Sequence, residues 1–243
     1  DTANYRYHRT TRFSVNQIAD YLATTNAKQR TRLIRAAKFP KKIEVAAYSQ
    51  IRKPLSDALA ADGFARDDLG ALAERMASKA RREQGYARDE ALRCERAIRA
   101  FQETLNPRSF NRYQIARSTR DLVVSVSGVR INVALSAALI EARGDITYAG
   151  GIVLLYAFSA DRENIADRLA ATSGLILWAL EGGQMEPLAR LCMAVDIADR
   201  NIVRASEHHG RFRGRVADSC SEVAARWDAI EPPDDYDGPE WRD

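Results

Sequence analysis

Lysine vanishes from this chain after Lys79. All six lysines (Lys28, Lys38, Lys41, Lys42, Lys53 and Lys79) lie in the first third of its 243 residues. No chemistry that needs an ammonium group from a later residue is available. Cysteine is scarce and odd in number, with Cys94, Cys192 and Cys220 far apart. That spacing excludes a disulfide framework and points to a reducing compartment. Long apolar runs are also missing. The longest, 150–158 and 174–180, fall well short of the roughly 18 residues a membrane span needs. The opening residues show no charged-then-apolar signal segment. The expectation is a soluble cytoplasmic protein.

Motifs of known chemistry are absent too. There is no P-loop, GxSxG or GxGxxG, and Gly150-Gly151 and Gly182-Gly183 lack the phosphate-loop context. No CxxC or HxxxH spacing supports zinc. His208 and His209 are adjacent, so in extended structure their side chains diverge. Cys192 and Cys220 occupy apolar positions of an expected strand and helix, which favours inert burial over nucleophilic use.

What is present is a division of charge. Residues 1–120 carry 25 Lys and Arg against 13 Asp and Glu, and residues 121–243 carry 12 against 20. The formal net charge of +4 hides a dipole. A basic segment joined to an acidic body is the usual sign of contact with a polyanion.

The first half reads as helical. Ser14 and Gln17 form a capping box, and Phe13 with Ile18 are spaced as a hydrophobic staple, so a helix is predicted over 15–24. Asn26 caps a second helix that ends before Pro40. A third segment covers 41–61 and is divided near Pro54. Asp67 starts a fourth helix, with Leu69, Leu72, Met76 and Ala80 on one face. A fifth covers 88–105, with Ala91, Cys94, Ile98, Phe101 and Leu105 spaced by threes and fours.

From Leu122 the period switches to alternation. Ser127-Gly128 and Arg143-Gly144-Asp145 are turn signals that divide 122–158 into a three-stranded meander. A helix follows over 161–180, then a hairpin of 188–197 and 201–206 about Asp199-Arg200. A last helix over 211–230 carries the stripe Phe212, Val216, Cys220, Val223, Trp227 and Ile230. The fold class is α+β: an N-terminal helical region, then a mainly antiparallel meander flanked by helices. Three parts are expected. They are a basic helical region at 1–105, a sheet domain at 106–230, and an acidic, proline-rich tail at 231–243 that reads as disordered.

The helices near 15–24 and 27–38 resemble a helix-turn-helix, with Lys28, Arg32 and Arg35 on one face and Leu33 and Ile34 turned away. Two such helices with solvated arginines also occur as plain scaffold. The preceding YRYHRTTRF interleaves Tyr5, Tyr7, His8 and Phe13 with Arg6, Arg9 and Arg12, a pattern suited to stacking on single strands. Lys38, Lys41 and Lys42 extend the basic stretch. Arg75, Lys79 and Arg82 form a stripe on the fourth helix, and Arg93, Arg96 and Arg99 form another on the fifth. Glu74, Glu83, Glu90 and Glu95 stand close enough to pair with them. These cations are the expected nucleic-acid contacts. The tail acids Glu231, Asp234, Asp235, Asp237, Glu240 and Asp243 surround Tyr236 and Trp241, and can fold back on the basic half, dock a basic partner or simply aid solubility.

The order of helix, meander, crossover helix and strand pair over 88–230 resembles the restriction-endonuclease-like PD-(D/E)XK nuclease core. That resemblance implies an acid on the second core strand, and an acid-x-Lys element on the third that holds magnesium. Ser136, Ala137 and Ala138 stand on the second strand here, and Gly150-Gly151-Ile152-Val153 on the third. The resemblance therefore implies a catalytically degenerate copy. Glu95, Glu141, Asp121 and Asp145 are the acids nearest that layout. Asp196, with Asp199 and Glu207 beyond it, offers oxygen ligands for a divalent cation, although Asp199 is also a plain turn former.

The leading expectation is a non-catalytic nucleic-acid-associated protein with no cofactor. Its basic half would contact phosphates and its sheet half would serve as an interaction body. One alternative is a metal-dependent nuclease with a displaced site at Glu95, Glu141 and Asp196, the one case that calls for magnesium. The other is a protein-interaction subunit of a larger complex.

Overall fold

A computed structural model describes residues 4–42, 48–118, 121–156 and 164–241. The fold is α+β. In chain order the elements are β1 (Arg12–Ser14), α1 (Val15–Ala23), α2 (Ala27–Lys38), α3 (Ser49–Leu59), α4 (Arg66–Arg82), α5 (Gly85–Thr104), β2 (Gln114–Ala116), β3 (Leu122–Val126) and β4 (Val129–Val133). They continue with β5 (Ala137–Arg143), β6 (Ile146–Leu155), α6 (Ile165–Leu180), β7 (Glu186–Asp196), β8 (Asn201–Arg204) and α7 (Gly210–Trp227).

Local signals set most of these boundaries. Ser14 Oγ accepts from the Gln17 amide, and Gln17 Oε1 accepts from the Ser14 amide, so both donors at the start of α1 are satisfied. Asn26 Oδ1 accepts from the amides of Lys28 and Gln29 and starts α2. Ser127 and Gly128 both take positive φ between β3 and β4, the backbone a two-residue hairpin turn requires.

The strands form two sheets. A three-stranded sheet has the order β1-β4-β3, and a five-stranded one the order β2-β5-β6-β7-β8. In the larger sheet β6 runs antiparallel to β5 and parallel to β7, with α6 as the crossover. Alternation along the central strands separates two cores. Val153, Leu155, Cys192 and Ala194 join one cluster with α1, α2, α6, α7 and the inner side of the small sheet. Ile152, Leu154, Met193 and Val195 join another with α3, α4 and α5. The result is three layers, with α3–α5 on one face of the five-stranded sheet and α1, α2, α6 and α7 on the opposite face.

Several expectations change against this frame. The division at 105/106 does not separate two cores, because residues 5–39 share one with residues 122–230. The reason is β1, which pairs in parallel with β4 and ties the opening of the chain to the sheet half. The segment read as one second strand of the meander is two strands in different sheets. It bends at 134–136, where Ser136 Oγ accepts the Leu154 amide, and the Leu135 side chain fills the space a side chain at Gly151 would need. Pro54 lies inside α3 rather than dividing it. Ile51, Leu55, Ala58 and Leu59 are all buried and anchor the helix on both sides of the proline. The part of the third segment over 43–47 lies outside the described residues.

The acidic tail is ordered against the body, where composition pointed to disorder. Asp237 accepts from the Asn4 amide and side chain at 2.7 Å each. Asp235 accepts from the Tyr5 hydroxyl at 2.7 Å. Tyr236 and Trp241 pack on Phe39, with ring centroids 5.1 and 5.9 Å away. Aromatic burial supplies what the charge-rich sequence obscured.

Candidate nucleic-acid interface

The basic residues of the first half do not share one flank. Those on α2 and those on α4 belong to helices on opposite faces of the central sheet. Lys38 is 2% exposed, and its ammonium donates to the carbonyls of Trp227, Asp228 and Ile230 at 2.7, 3.3 and 3.0 Å. It satisfies the end of α7 and is not a phosphate contact. Burial lowers its pKa, and the Asp228 carboxylate opposes that shift. Arg35 donates to the Glu231 carbonyl, Lys41 pairs with Asp235 at 3.4 Å, and Lys79 donates to the Gln50 side chain. The Arg9 and Lys42 side chains lie at or near the surface. Arg99 pairs with Glu74 and Glu95, and Arg93 with Glu90. Among the described residues, Arg6, Arg12, Lys28, Arg32, Arg75 and Arg82 form no ion pair.

The acids do not converge either. Glu95 is paired with Arg99 on α5. Glu141 on β5 is buried between Arg190 and Arg143. Burial opposes its ionisation, but the bond from Arg143 and the charge of Arg190 outweigh burial and hold it below the usual carboxylate range. Asp196 is 0% exposed and accepts the Ala198 amide at 2.9 Å, a turn-forming role. Glu141 sits opposite Tyr148 and Asp196 opposite Leu155 on β6. Those positions are seven residues apart, roughly 23 Å along a strand. Among the described residues no three His, Cys, Asp or Glu side chains form a group that could hold a metal ion. The three thiols are buried, and burial pushes each of Cys94, Cys192 and Cys220 up to about 12, with Glu90 adding to the effect at Cys94.

Strand pairing assembles a surface that the sequence reading did not find. Arg12 of β1 lies beside Arg130 of β4, which lies beside Ser125 of β3. One row on, Ser14, Asn132 and Val123 are neighbours in the same way. The inward residues Phe13, Ile131, Val124 and Val126 are buried in the core, so these two rows form the outer side of the small sheet. Val123 is 41% exposed, and Ser14, Ser125 and Arg130 are exposed as well. Asp121, just before β3, is the nearest acid along the chain. His8 belongs to the same arm. Burial, then the charges of Arg12 and Arg6, lower its pKa and keep it neutral near pH 7.

This outer side leads to a cleft. Both β1 and β4 run toward it, and Ala134, next after β4, lines it together with Asn16 at the start of α1. The cleft encloses about 490 Å³ beyond the carboxyl end of β6, between α3 and the first turn of α6. Arg52 and Arg168 line it, with Tyr48, Ser56, Ser136 and Tyr156. Arg130 comes beside Arg12, and Arg52 comes to the same cleft as Arg168, through contacts between segments distant in the chain.

Among the described residues no helix is long and apolar enough to cross a membrane. No model of a known protein family matches the chain, and no curated protein matches it.

Proposed function

We propose that the protein binds nucleic acid without cleaving it, through the outer side of β1 and β4 and the arm before β1. One observation carries the reading: Arg12 and Arg130 lie side by side on an uncovered sheet surface, and neither has an ion-pair partner among the described residues. Arg6 lies on the arm before β1, exposed and also without a carboxylate partner among the described residues. Cations held together without carboxylates neutralise phosphates and release counterions, which is the main source of sequence-independent affinity. The three-layer body holds that surface and serves as the interaction body. The resemblance to a PD-(D/E)XK core stays within this reading as a likeness of layout. The acids that a metal-dependent nuclease would use are spread along the sheet, and no observation favours cleavage. A cytoplasmic setting fits three buried free thiols.

A second reading, contact with an acidic protein, is favoured by the α4–α5 hairpin. Tyr86 is 54% exposed there, close to the exposed Arg81, Arg82 and Arg88.

Binding of single- and double-stranded oligonucleotides, followed by fluorescence anisotropy over a salt series, tests the first reading. Affinity should fall steeply with salt. Alanine at both Arg12 and Arg130 should reduce the slope of log affinity against log salt by roughly 0.7–0.9 per arginine removed. Undetectable binding to both forms at low ionic strength would overturn the proposal, as would binding that the double variant leaves untouched.

A further inference from the structure

We infer that the cleft beyond β6 is a phosphate-ester site, which takes a terminal phosphomonoester either on a free nucleotide or at the end of a strand. The strand-end case rests on the nucleic-acid reading above, and the free-nucleotide case does not. The cleft has the size of a small-molecule pocket. It lies at the carboxyl end of β6, which runs parallel to β7.

Its lining fits an oxyanion. Two guanidinium groups, Arg52 and Arg168, face it from opposite layers, and none of the described lining residues is Asp or Glu. Arg168 is held in place by an ion pair with Asp20 of α1. Arg52 stacks over the Tyr156 ring at 5.7 Å and has no carboxylate partner among the described residues, so its fork stays open to ligand. Asn16, Ser56 and Ser136 add neutral polar groups. A guanidinium fork with neutral donors around it is the arrangement that recognises phosphate.

The wall is rigid where the ligand would press on it. Tyr156 stacks on Tyr48 with centroids 5.5 Å apart and planes 25° from parallel. Tyr48 takes a left-handed backbone, φ 65°, at the start of α3, and its amide donates to the buried Glu90 carboxylate. A non-glycine residue rarely takes that conformation. The bond to Glu90 anchors the start of α3, and the Tyr48 carbonyl in turn accepts the Arg52 amide.

The test is a titration of the full chain with inorganic phosphate, a nucleoside monophosphate, and matched oligonucleotides carrying either a terminal phosphate or a hydroxyl. The nucleoside monophosphate or the phosphorylated oligonucleotide should bind at least about tenfold tighter than its unphosphorylated counterpart. Arg52→Ala should abolish that preference, and Arg52→Lys should restore only part of it. Arg52 is exposed, so both variants should keep the wild-type melting temperature. A preference confined to the free nucleotide marks a soluble ligand, and one confined to the oligonucleotide marks a strand end. Either result supports the site. No phosphate preference in any pair overturns it, and so does a preference that survives Arg52→Ala. Salt-dependent binding of the hydroxyl-ended oligonucleotide reports on Arg12 and Arg130 separately, so the two proposals can fail independently.

Discussion

The ammonium of Lys38 donates to the carbonyl of Trp227 at 2.7 Å, and so joins the last turn of α2 to the last turn of α7. With the Asp228 and Ile230 carbonyls it serves three acceptors at and just beyond the end of α7. The rings of Phe39 and Trp241 lie 5.3 and 5.4 Å from the same nitrogen. Lys38→Met keeps the stem and removes the donors. It is expected to cost about 2–3 kcal/mol in urea denaturation, the range for stranding buried acceptors. Lys28→Met, on the exposed side of the same helix, should stay within about 0.5 kcal/mol. Equal effects at the two sites would refute the capping role.

Lys38 also shows how far the sequence could be read. Helix boundaries were legible because caps and apolar spacing are local: α1, α2 and α7 begin and end within a few residues of expectation, and α4 begins within one. The strand periodicity from Leu122 onward was equally plain. Sheet membership was not legible. Nothing near Arg12 announces a strand that pairs with residues 130–132, and nothing in 129–143 marks the bend at Leu135 that sends one half to each sheet. The basic first half was legible as charge but not as surface. Whether a lysine faces solvent or caps a distant helix depends on contacts across some 190 residues of chain. The candidate interface was missed for the same reason, since Arg130 and Arg52 gain meaning only from their neighbours in space.

Gly150 and Gly70 should respond to alanine in opposite ways. At Gly150, where the register between β6 and β7 shifts, a Cβ would overlap Leu191 Cβ and stand 2.5 Å from its carbonyl oxygen. Backbone cannot yield as a side-chain tip can, so Gly150→Ala should cost about 3 kcal/mol. Gly70 lies inside α4 with nothing within 4 Å of an added methyl. Gly70→Ala should therefore stabilise by about 0.5–1 kcal/mol. Thermal melts of the two variants check both signs. A neutral Gly150→Ala would mean that the two strands are not in such close contact.

The three thiols give a count of core integrity. All are buried, with pKa values pushed up to about 12, so almost no thiolate exists at neutral pH and reagents cannot reach it. A chromogenic disulfide should label none of them in native protein and all three in denaturant. Labelling should follow global unfolding. Fast reaction of any one thiol in buffer would show that its core cluster opens locally.

The docked tail should respond to acid before the body does. The bond from the Tyr5 hydroxyl, followed by the Lys41 ammonium, holds Asp235 below its ordinary value of 3.8. A carboxylate lowered in the docked state contributes fully above 3.8 and is lost as pH falls through the lower docked value. The other half of the pair has the opposite sign. Lys41 is raised above 10.5 by Tyr5 and Asp235, so its contribution is complete below 10.5 and is lost only as pH rises through that higher value. Docking should thus persist through neutral pH and release on the acid side, below 3.8. Trp241 reports it, because undocking removes its ring from Phe39 and Lys38. The fluorescence difference between wild type and Trp241→Phe should collapse in that acid window. Asp235→Asn should show the collapsed signal already at pH 7, while far-ultraviolet circular dichroism stays native. If the Asn variant instead matched wild type at neutral pH, Asp235 would not be what holds the tail, and the Asp237 bonds to Asn4 with the aromatic contacts of Tyr236 and Trp241 would account for docking.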